Sequence, residues 1–142
     1  MNYTIDGNRI YLSIDRNEKV NTTILKVCEE NNISFGWING IGAINNPEVG
    51  YYDIKSKKYI KKTFQGDFEI VSLTGNMTFK DGERFIHTHI LFTDEEFNAY
   101  GGHLFDSRIS AAGEFIIILG DNKIDREFNI EIGLALWNCK DK

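Results

Sequence analysis

Residues 74–89, TGNMTFKDGERFIHTH, contain two alternating apolar runs on either side of Asp81-Gly82. Asp-Gly between such runs is among the strongest short signals of a β-hairpin. With Asp81 and Gly82 as the loop, counting back along the strands sets two polar pairs opposite each other, Asn76 with His87 and Thr74 with His89. A three-residue loop would shift this register by one residue. The stretch therefore predicts an antiparallel strand pair with a polar stripe on one face.

A single helix is predicted upstream of this hairpin. From about Asn17, the expected N-cap, apolar residues recur on one helical face as far as Asn31-Asn32, namely Val20, Ile24, Val27 and Cys28. Strands are predicted over segments bounded mostly by Gly, Asn or Asp, at 9–14, 34–41, 48–53, 58–64, 68–79, 83–92, 108–112, 114–119 and 124–136. One main helix near the N-terminus and many short strands predict an α+β domain with a mostly antiparallel sheet or partial barrel.

Length and composition limit the class of protein. The chain has 142 residues, which fits a single domain over 1–142. Its 42% hydrophobic and 26% charged residues exclude a disordered chain. A formal net charge of −5 repels polyanions, so nucleic-acid binding would need a local basic patch.

The sequence also bears on location and on its cysteines. The first residues lack a basic stretch followed by an apolar run, and nowhere do about eighteen apolar residues stand together. We therefore expect a cytoplasmic protein with no membrane segment. Cys28 and Cys139 are too far apart in sequence for a cysteine zinc site and are expected to be reduced packing residues.

The three histidines of the chain are the candidate functional residues. His87 and His89 are separated by one residue on a predicted strand, so both imidazoles point to the same face. His103 follows Gly101-Gly102, and the glycines allow a loop to return this side chain to the sheet. Three histidine ligands make an open zinc-type site, in which the metal acidifies water or polarises a carbonyl. Glu114 is expected as the fourth ligand or the general base.

Two metal-free interpretations of the histidines are left open. In one, each imidazole is hydrogen-bonded within a half-buried polar cluster, to Asn76, to Thr74 or to a backbone carbonyl. In the other, the histidines act as acids and bases. Because histidine titrates near neutral pH, each interpretation makes this cluster the predicted functional site, with Asn76 and Thr74 as outer partners.

A basic segment, 55–62, KSKKYIKK, carries five lysines around Tyr59. Such a patch is one way to contact phosphates. The alternative is a solvated edge hairpin, whose lysines prevent edge-to-edge aggregation. We favour the second interpretation, because the segment has no arginine to read guanine. The chain also has no Arg-Gly-Arg-Pro minor-groove hook, since its only proline, Pro47, does not follow Arg-Gly-Arg.

Together these residues resemble a known family. The order Ser72-Leu73-Thr74-Gly75-Asn76, His87-Thr88-His89, Gly101-Gly102-His103-Leu104 and Glu114 is similar to the signature of the PPC domain, the plants-and-prokaryotes conserved domain found behind AT-hooks in plant nuclear proteins. The chain resembles the bare prokaryotic form of this domain over nearly its whole length. It implies a compact α+β fold, a homotrimer and a DNA-binding label. In plants the AT-hook makes the DNA contacts, so nucleic acid is not the expected partner here.

The fold is also similar to that of acetolactate decarboxylase, a zinc enzyme whose metal is held by a His-x-His pair and a later histidine. This resemblance implies zinc or another divalent transition metal as cofactor, with His87, His89 and His103 as its ligands. Glu114 would be an outer partner. Arg108 or Arg126 would stand in for the arginine that the decarboxylase has near its metal.

Three functions follow from these observations. The expected one is a homotrimeric binding or regulatory module, in which the histidine cluster holds a metal or a small-molecule ligand near a subunit boundary and 130–137 supplies trimer contacts. The second is a zinc-dependent lyase or hydrolase using His87, His89 and His103, with Glu114 as base. The third is a non-specific DNA-binding module using 55–62. Whether the protein is an enzyme is left open.

Overall fold

The structure, a computed structural model, describes residues 1–139. Within that range the chain forms nine strands and one helix: β1 (Asn2–Asp6), β2 (Arg9–Ile14), α1 (Val20–Glu30), β3 (Phe35–Asp53), β4 (Lys58–Thr63), β5 (Asp67–Lys80), β6 (Glu83–Thr93), β7 (Ala99–Gly120), β8 (Asp125–Asn129) and β9 (Leu134–Trp137). The predicted α+β class is confirmed.

All nine strands belong to one sheet that partly closes on itself. Its main order is β1-β2-β7-β3-β5-β8-β9, with β4 on β3. Because β6 pairs with both β5 and β7, the strands β3, β5, β6 and β7 form a ring of pairings. Every pairing is antiparallel except that of β5 with β8. This is the predicted mostly antiparallel partial barrel.

The β5–β6 hairpin has the predicted register. Lys80 pairs with Glu83, and the two polar pairs are as expected, Asn76 with His87 and Thr74 with His89. Asp81 and Gly82 have φ values of 53° and 85°, the positive angles that a tight two-residue hairpin turn requires. The turn residues Asp81 and Gly82 were therefore sufficient to predict which side chains of β5 and β6 face each other.

The core lies between α1 and the inner face of the sheet. The predicted apolar face of α1 is confirmed, since Val20, Ile24, Val27 and Cys28 are fully buried. They join a single cluster with buried strand residues such as Ile10, Ile38, Leu73, Met77 and Ile117. Burial of this apolar surface stabilises the packing of the helix on the sheet.

The start of α1 differs from the prediction. Asn17 is not the N-cap; the cap is Lys19, in an extended conformation and without a side-chain capping bond. Asn17 has a φ of 72°, its backbone N–H donates to the carbonyl of Ile109, and its own carbonyl accepts from Arg108. Tertiary contacts with β7 therefore hold the chain before the helix, and no local cap is needed.

Strand boundaries also differ from the prediction. The segments 34–41 and 48–53 are parts of one bent strand, β3, and 108–112 and 114–119 are parts of β7. Irregular registers between β3 and β7 let both strands bend and continue. Conversely, 124–136 was predicted as one strand and is a hairpin of β8 and β9. The first strand, β1, was not predicted.

The way in which His103 reaches the sheet also differs from the prediction, because 99–107 is strand and not loop. Gly101 pairs with Leu91, and a Cβ atom on it would lie 2.5 Å from the carbonyl oxygen of Ile90. The glycine therefore permits a close approach of β7 to β6. His103 reaches the sheet by strand pairing.

Next to this point β6 and β7 stop pairing and separate, which leaves a fork between them. Their pairing runs from Thr93↔Ala99 to His89↔His103 and ends there. Asn21 in the first turn of α1 fills the fork: its Nδ2 donates to the carbonyls of Leu104 and Phe105, and its Oδ1 accepts from the buried Thr88 hydroxyl. This one side chain supplies the partners that the separating strands lack.

Replacing Asn21 with alanine should leave the Thr88 hydroxyl and two carbonyls without these partners. We expect the variant Asn21→Ala to lose about 1–3 kcal/mol of unfolding free energy, measured by urea unfolding followed by circular dichroism. Asn8→Ala, at an exposed turn asparagine, is the matched control and should change little. Equal stability of the two variants would contradict the role given to Asn21.

Candidate metal centre

The three histidines meet where the β6–β7 pairing ends. His89 on β6 lies directly opposite His103 on β7, and His87 lies two residues along β6 on the same face. The ring centroids are 5.1 Å apart for His87 and His89, 5.1 Å for His87 and His103, and 5.7 Å for His89 and His103. One ring nitrogen of each lies within 4.8 Å of the others. The three imidazoles are thus close enough to share one ion.

The environment of His103 fits a metal ligand. Its Nδ1 is buried and has no hydrogen-bond partner. Leaving a buried polar atom unpaired costs about 1–3 kcal/mol, and coordination of a cation is one way to satisfy a ring nitrogen. The rings of Tyr59 and Phe105 pack against His103 at centroid distances of 5.0 and 4.9 Å and hold its orientation. Imidazole nitrogens are common ligands of zinc and similar divalent ions.

The charge state of the cluster also favours metal binding. Burial, followed by the charge of Arg126 and the two other histidines, lowers the pKa of His87 to about 4. Burial, followed by His89, Lys61 and Arg126, lowers the pKa of His103 to about 4. Both rings are therefore neutral at pH 7, and a neutral ring offers a lone pair to a metal.

A cleft of about 520 Å³ opens beside His87 and His103, between α1 and the β8–β9 hairpin. Three cationic side chains line it, Lys80, Arg84 and Arg126, together with one carboxylate, Asp106. Its apolar walls include Tyr59, Phe85, Phe105, Leu134 and Leu136. The cluster is thus accessible to a small molecule.

Arg126 links the β8–β9 hairpin to the histidines. Its Nε donates to Thr78 Oγ1 at 2.8 Å, its Nη1 to the carbonyl of Ala135 at 3.0 Å, and its Nη2 to Asn76 Oδ1 at 2.9 Å. Nη2 also lies 3.3 Å from His87 Nδ1, which accepts because a guanidinium can only donate. Of the two arginines considered from the sequence, the structure brings Arg126 to the cluster. Arg108 is exposed and donates to Asn17 elsewhere.

The two outer residues predicted from the hairpin are arranged differently. Asn76 lies opposite His87, but its Oδ1 accepts from Arg126 and, at 3.4 Å, from Trp137 Nε1. Its connection to His87 therefore runs through Arg126. Thr74 lies opposite His89, and its hydroxyl accepts from Asn39 at 3.3 Å.

Glu114 is not brought to the histidines. It pairs with Ile41 and Ser13, whereas His103 pairs with Gly50 and His89. Glu114 lies eleven positions along β7 from His103, roughly 36 Å along the strand at about 3.3 Å per residue. Glu114 lines a different cavity, on the outer face of the sheet with Tyr11 and Ile41. The expectation that it serves as fourth ligand or base is therefore not met by the geometry.

The lysines of 55–62 lie on the hairpin of β3 and β4, at an edge of the sheet. Lys61 is ion-paired with Glu48 at 2.8 Å and lies over the Phe105 ring, and Lys62 lies over the Phe64 ring. Lys57 donates to the carbonyl of Ile130. Several of these charges are therefore engaged within the chain.

Sequence reasoning missed two further residues of the site, Tyr59 and Asn21. Tyr59 was noted only as part of the lysine segment, and nothing in its spacing signals contact with His103. Asn21 occurs in the first turn of a helix, where asparagine is common for local reasons. Both contacts depend on long-range pairing.

Comparison with known proteins places these features in context. The sequence profile of the Plants and Prokaryotes Conserved (PCC) domain matches residues 1–121. A protein from Bacteroides thetaiotaomicron described as a putative DNA-binding protein is 32% identical, covers 96% of each chain and has a TM-score of 0.93. A plant- and prokaryote-conserved (PPC) protein from Pyrococcus horikoshii is 34% identical, over 99% of this chain and 96% of that one, with a TM-score of 0.87.

A third similar structure is that of a metal-containing protein from Archaeoglobus fulgidus, 33% identical over 97% of this chain and 99% of that one, with a TM-score of 0.86. Bacillus subtilis acetolactate decarboxylase is 18% identical over 91% of this chain and 59% of that one, with a TM-score of 0.55, which shows similarity of fold alone. No curated protein matches the sequence. In the described part of the chain, no helix has the length and apolar character that crossing a membrane requires.

The lowered histidine pKa values predict a dependence of stability on pH. Between the unfolded value of about 6.5 and the folded value of about 4, the unfolded chain binds more protons, so stability falls as the pH is lowered through this window. In metal-free protein, His87→Gln should lose less unfolding free energy than wild type between pH 7 and pH 4.5. Urea unfolding at both pH values measures this. An identical loss in the variant would show that His87 is not buried as described.

Proposed function

This chain belongs to the Plants and Prokaryotes Conserved domain family, and we propose that it is a homotrimeric binding module whose three histidines hold a divalent transition metal such as zinc. The observation that carries the proposal is the buried, unpartnered Nδ1 of His103, set beside the rings of His87 and His89. A hydrogen-bonded polar cluster would have given this nitrogen a partner.

The donor set supports this assignment. Neutral imidazoles suit zinc, copper, nickel and iron alike, so the residues favour a class of ion and not one member of it. The related A. fulgidus protein is described as metal-containing. A bound metal would act as a Lewis acid toward a ligand entering from the cleft. Tyr59 and Phe105 would hold His103 in place.

A binding role is preferred to catalysis because, among residues 1–139, the lining of the cleft includes no carboxylate without hydrogen-bond partners. Asp106 is the carboxylate lining the described cleft, and its two oxygens accept from Asn21, Thr22 and Ser107. It is therefore occupied in holding the start of α1. The zinc-dependent lyase or hydrolase is kept as a second candidate because the cleft of about 520 Å³ offers room for a substrate. Its base would have to be a residue other than Glu114.

The proposed trimer has a candidate contact surface on the outer face of the sheet. Four large apolar side chains are exposed there, Tyr11, Trp37, Ile41 and Ile118. Exposed apolar surface of this extent is typical of protein contacts. The segment 130–137, first considered for this role, lies partly against its own chain: Tyr52 donates to the carbonyl of Ile132, and Leu134 and Leu136 line the cleft. We therefore assign the trimer contacts to the outer face.

DNA binding is described, as putative, for the B. thetaiotaomicron relative. In this chain the net charge is −5, and the lysines of 55–62 are the local basic segment that such binding would use. Since Lys57, Lys61 and Lys62 have partners within the chain, less charge is free to contact phosphates. We therefore do not propose nucleic acid as the partner.

The metal site is tested by elemental mass spectrometry on protein purified without a histidine tag. We expect close to one transition-metal ion per chain in wild type. His89→Ala should lower the metal affinity at least about tenfold, because even the loss of an outer partner of a ligand costs about 10–100-fold. Tyr59→Phe removes a hydroxyl beside His103 but no ligand, and should keep its metal. Wild-type protein that stays metal-free after incubation with zinc would disprove the metal site.

The trimer is tested by light scattering on protein eluting from a size-exclusion column. Wild type should have about three times the 16.3 kDa of the chain. Ile41→Glu places a charge on the outer face and should lower the mass to that of one chain. Ile60→Glu, at a similarly exposed isoleucine on β4, is the control and should remain trimeric. A mass of one chain for wild type, or an unchanged mass for Ile41→Glu, would contradict this part of the proposal.

A further inference from the structure

We propose that the cleft beside the histidines binds a small organic carboxylate, whose carboxylate group pairs with Arg126 and whose apolar body packs on the β8–β9 hairpin. This inference rests on the proposed function in one respect: the metal held by the histidines would provide the carboxylate with its second contact. The pairing with Arg126 can be tested with or without the metal.

Arg126 carries a charge that has no ionic partner among residues 1–139. Arg126 is half-buried, and its four hydrogen-bond acceptors are all neutral: Thr78, Ala135, Asn76 and His87. Among residues 1–139, the ion pairs do not include Arg126. Removing a cation from water is costly unless it is paired, so a site built around this guanidinium favours an anion.

The hydrogen bonds of Arg126 are of unequal length, which leaves one donor free to turn toward a ligand. The contact of Nη2 with His87 is the longest of the four at 3.3 Å, which is a weak hydrogen bond, so that N–H is the easiest to redirect. The three shorter bonds hold the guanidinium plane at the side of the cleft. A planar guanidinium matches the geometry of a carboxylate better than an ammonium group does.

The walls of the cleft combine apolar and cationic side chains. The cleft of about 520 Å³ lies within the range of small-molecule sites. Phe85, Leu134 and Leu136 provide apolar surface, and Lys80 and Arg84 add positive charge near its rim. Asp106, the acidic residue of this lining, is held at the start of α1 by three hydrogen bonds, from Asn21, Thr22 and Ser107. A ligand with one anionic end and a short apolar body fits this combination.

Arg126 reaches the histidines from the strand pair β8–β9, near the end of the described chain. The family profile ends at residue 121, and Arg126 lies beyond it, on β8. It reaches the histidines because β8 pairs in parallel with the end of β5, setting Lys80 beside Arg126. The histidines therefore come from the matched region, and the anion-binding group comes from the segment that follows it.

The test compares butyrate with butyramide, which has the same shape without the charge. Dissociation constants are measured by NMR titration of zinc-loaded protein and of chelator-treated protein. We expect the zinc-loaded wild type to bind butyrate about tenfold or more tightly than butyramide. Arg126→Gln should reduce the preference in zinc-loaded protein, where the metal still contacts the carboxylate, and abolish it in chelator-treated protein, with the zinc content unchanged. Arg16→Gln, at an exposed arginine far from the cleft, should retain the preference.

Arg126→Lys covers the case in which the glutamine variant fails to fold. It keeps the charge but loses the planar pair of donors, and we expect a reduced preference. A preference unchanged in both Arg126 variants, or absent from wild type in both forms, would overturn the inference. If wild type fails to bind zinc, the proposed function fails. An Arg126-dependent preference in the metal-free protein would still support the present inference.

Discussion

The site depends on one cross-strand pair, His89 opposite His103, at the last position where β6 and β7 are hydrogen-bonded. The ring of β3, β5, β6 and β7 fixes this pair from both sides, since His103 also faces Gly50 on β3 and the neighbouring His87 faces Asn76 on β5. Beyond it the strands separate, which opens the cleft, and Asn21 supplies the missing hydrogen bonds. The end of the β6–β7 pairing therefore creates both the histidine cluster and the access to it.

Two layers of side chains tune this cluster. Aromatic rings of Tyr59 and Phe105 hold His103, and burial, which lowers their pKa, keeps His87 and His103 neutral at pH 7. On the other side, Arg126 bridges the β8–β9 hairpin to His87 and leaves a positive charge beside the proposed metal. The histidines lie within the region that the family profile matches, and Arg126 lies after it.

The parts of the site predicted from sequence are those set by local rules. Asp81-Gly82 fixed the register of the hairpin, and strand alternation put His87 and His89 on one face. The rest depended on distant pairing. The bent strand β7 carries Glu114 away from the histidines, and the parallel pairing of β8 brings in Arg126. At the start of α1, the carboxylate of Asp106 on β7 accepts from the N–H of Asn21 in place of the expected cap at Asn17. Irregular registers and parallel contacts have no short sequence signal.

The central claim is that His87, His89 and His103 share one metal ion. Anomalous diffraction from crystals grown with zinc, recorded on both sides of the zinc absorption edge, tests it most directly. The account predicts a single strong anomalous peak per chain at about 2.0–2.1 Å from a nitrogen of each of the three rings. A map without that peak, or with zinc bound only at other residues, would contradict it.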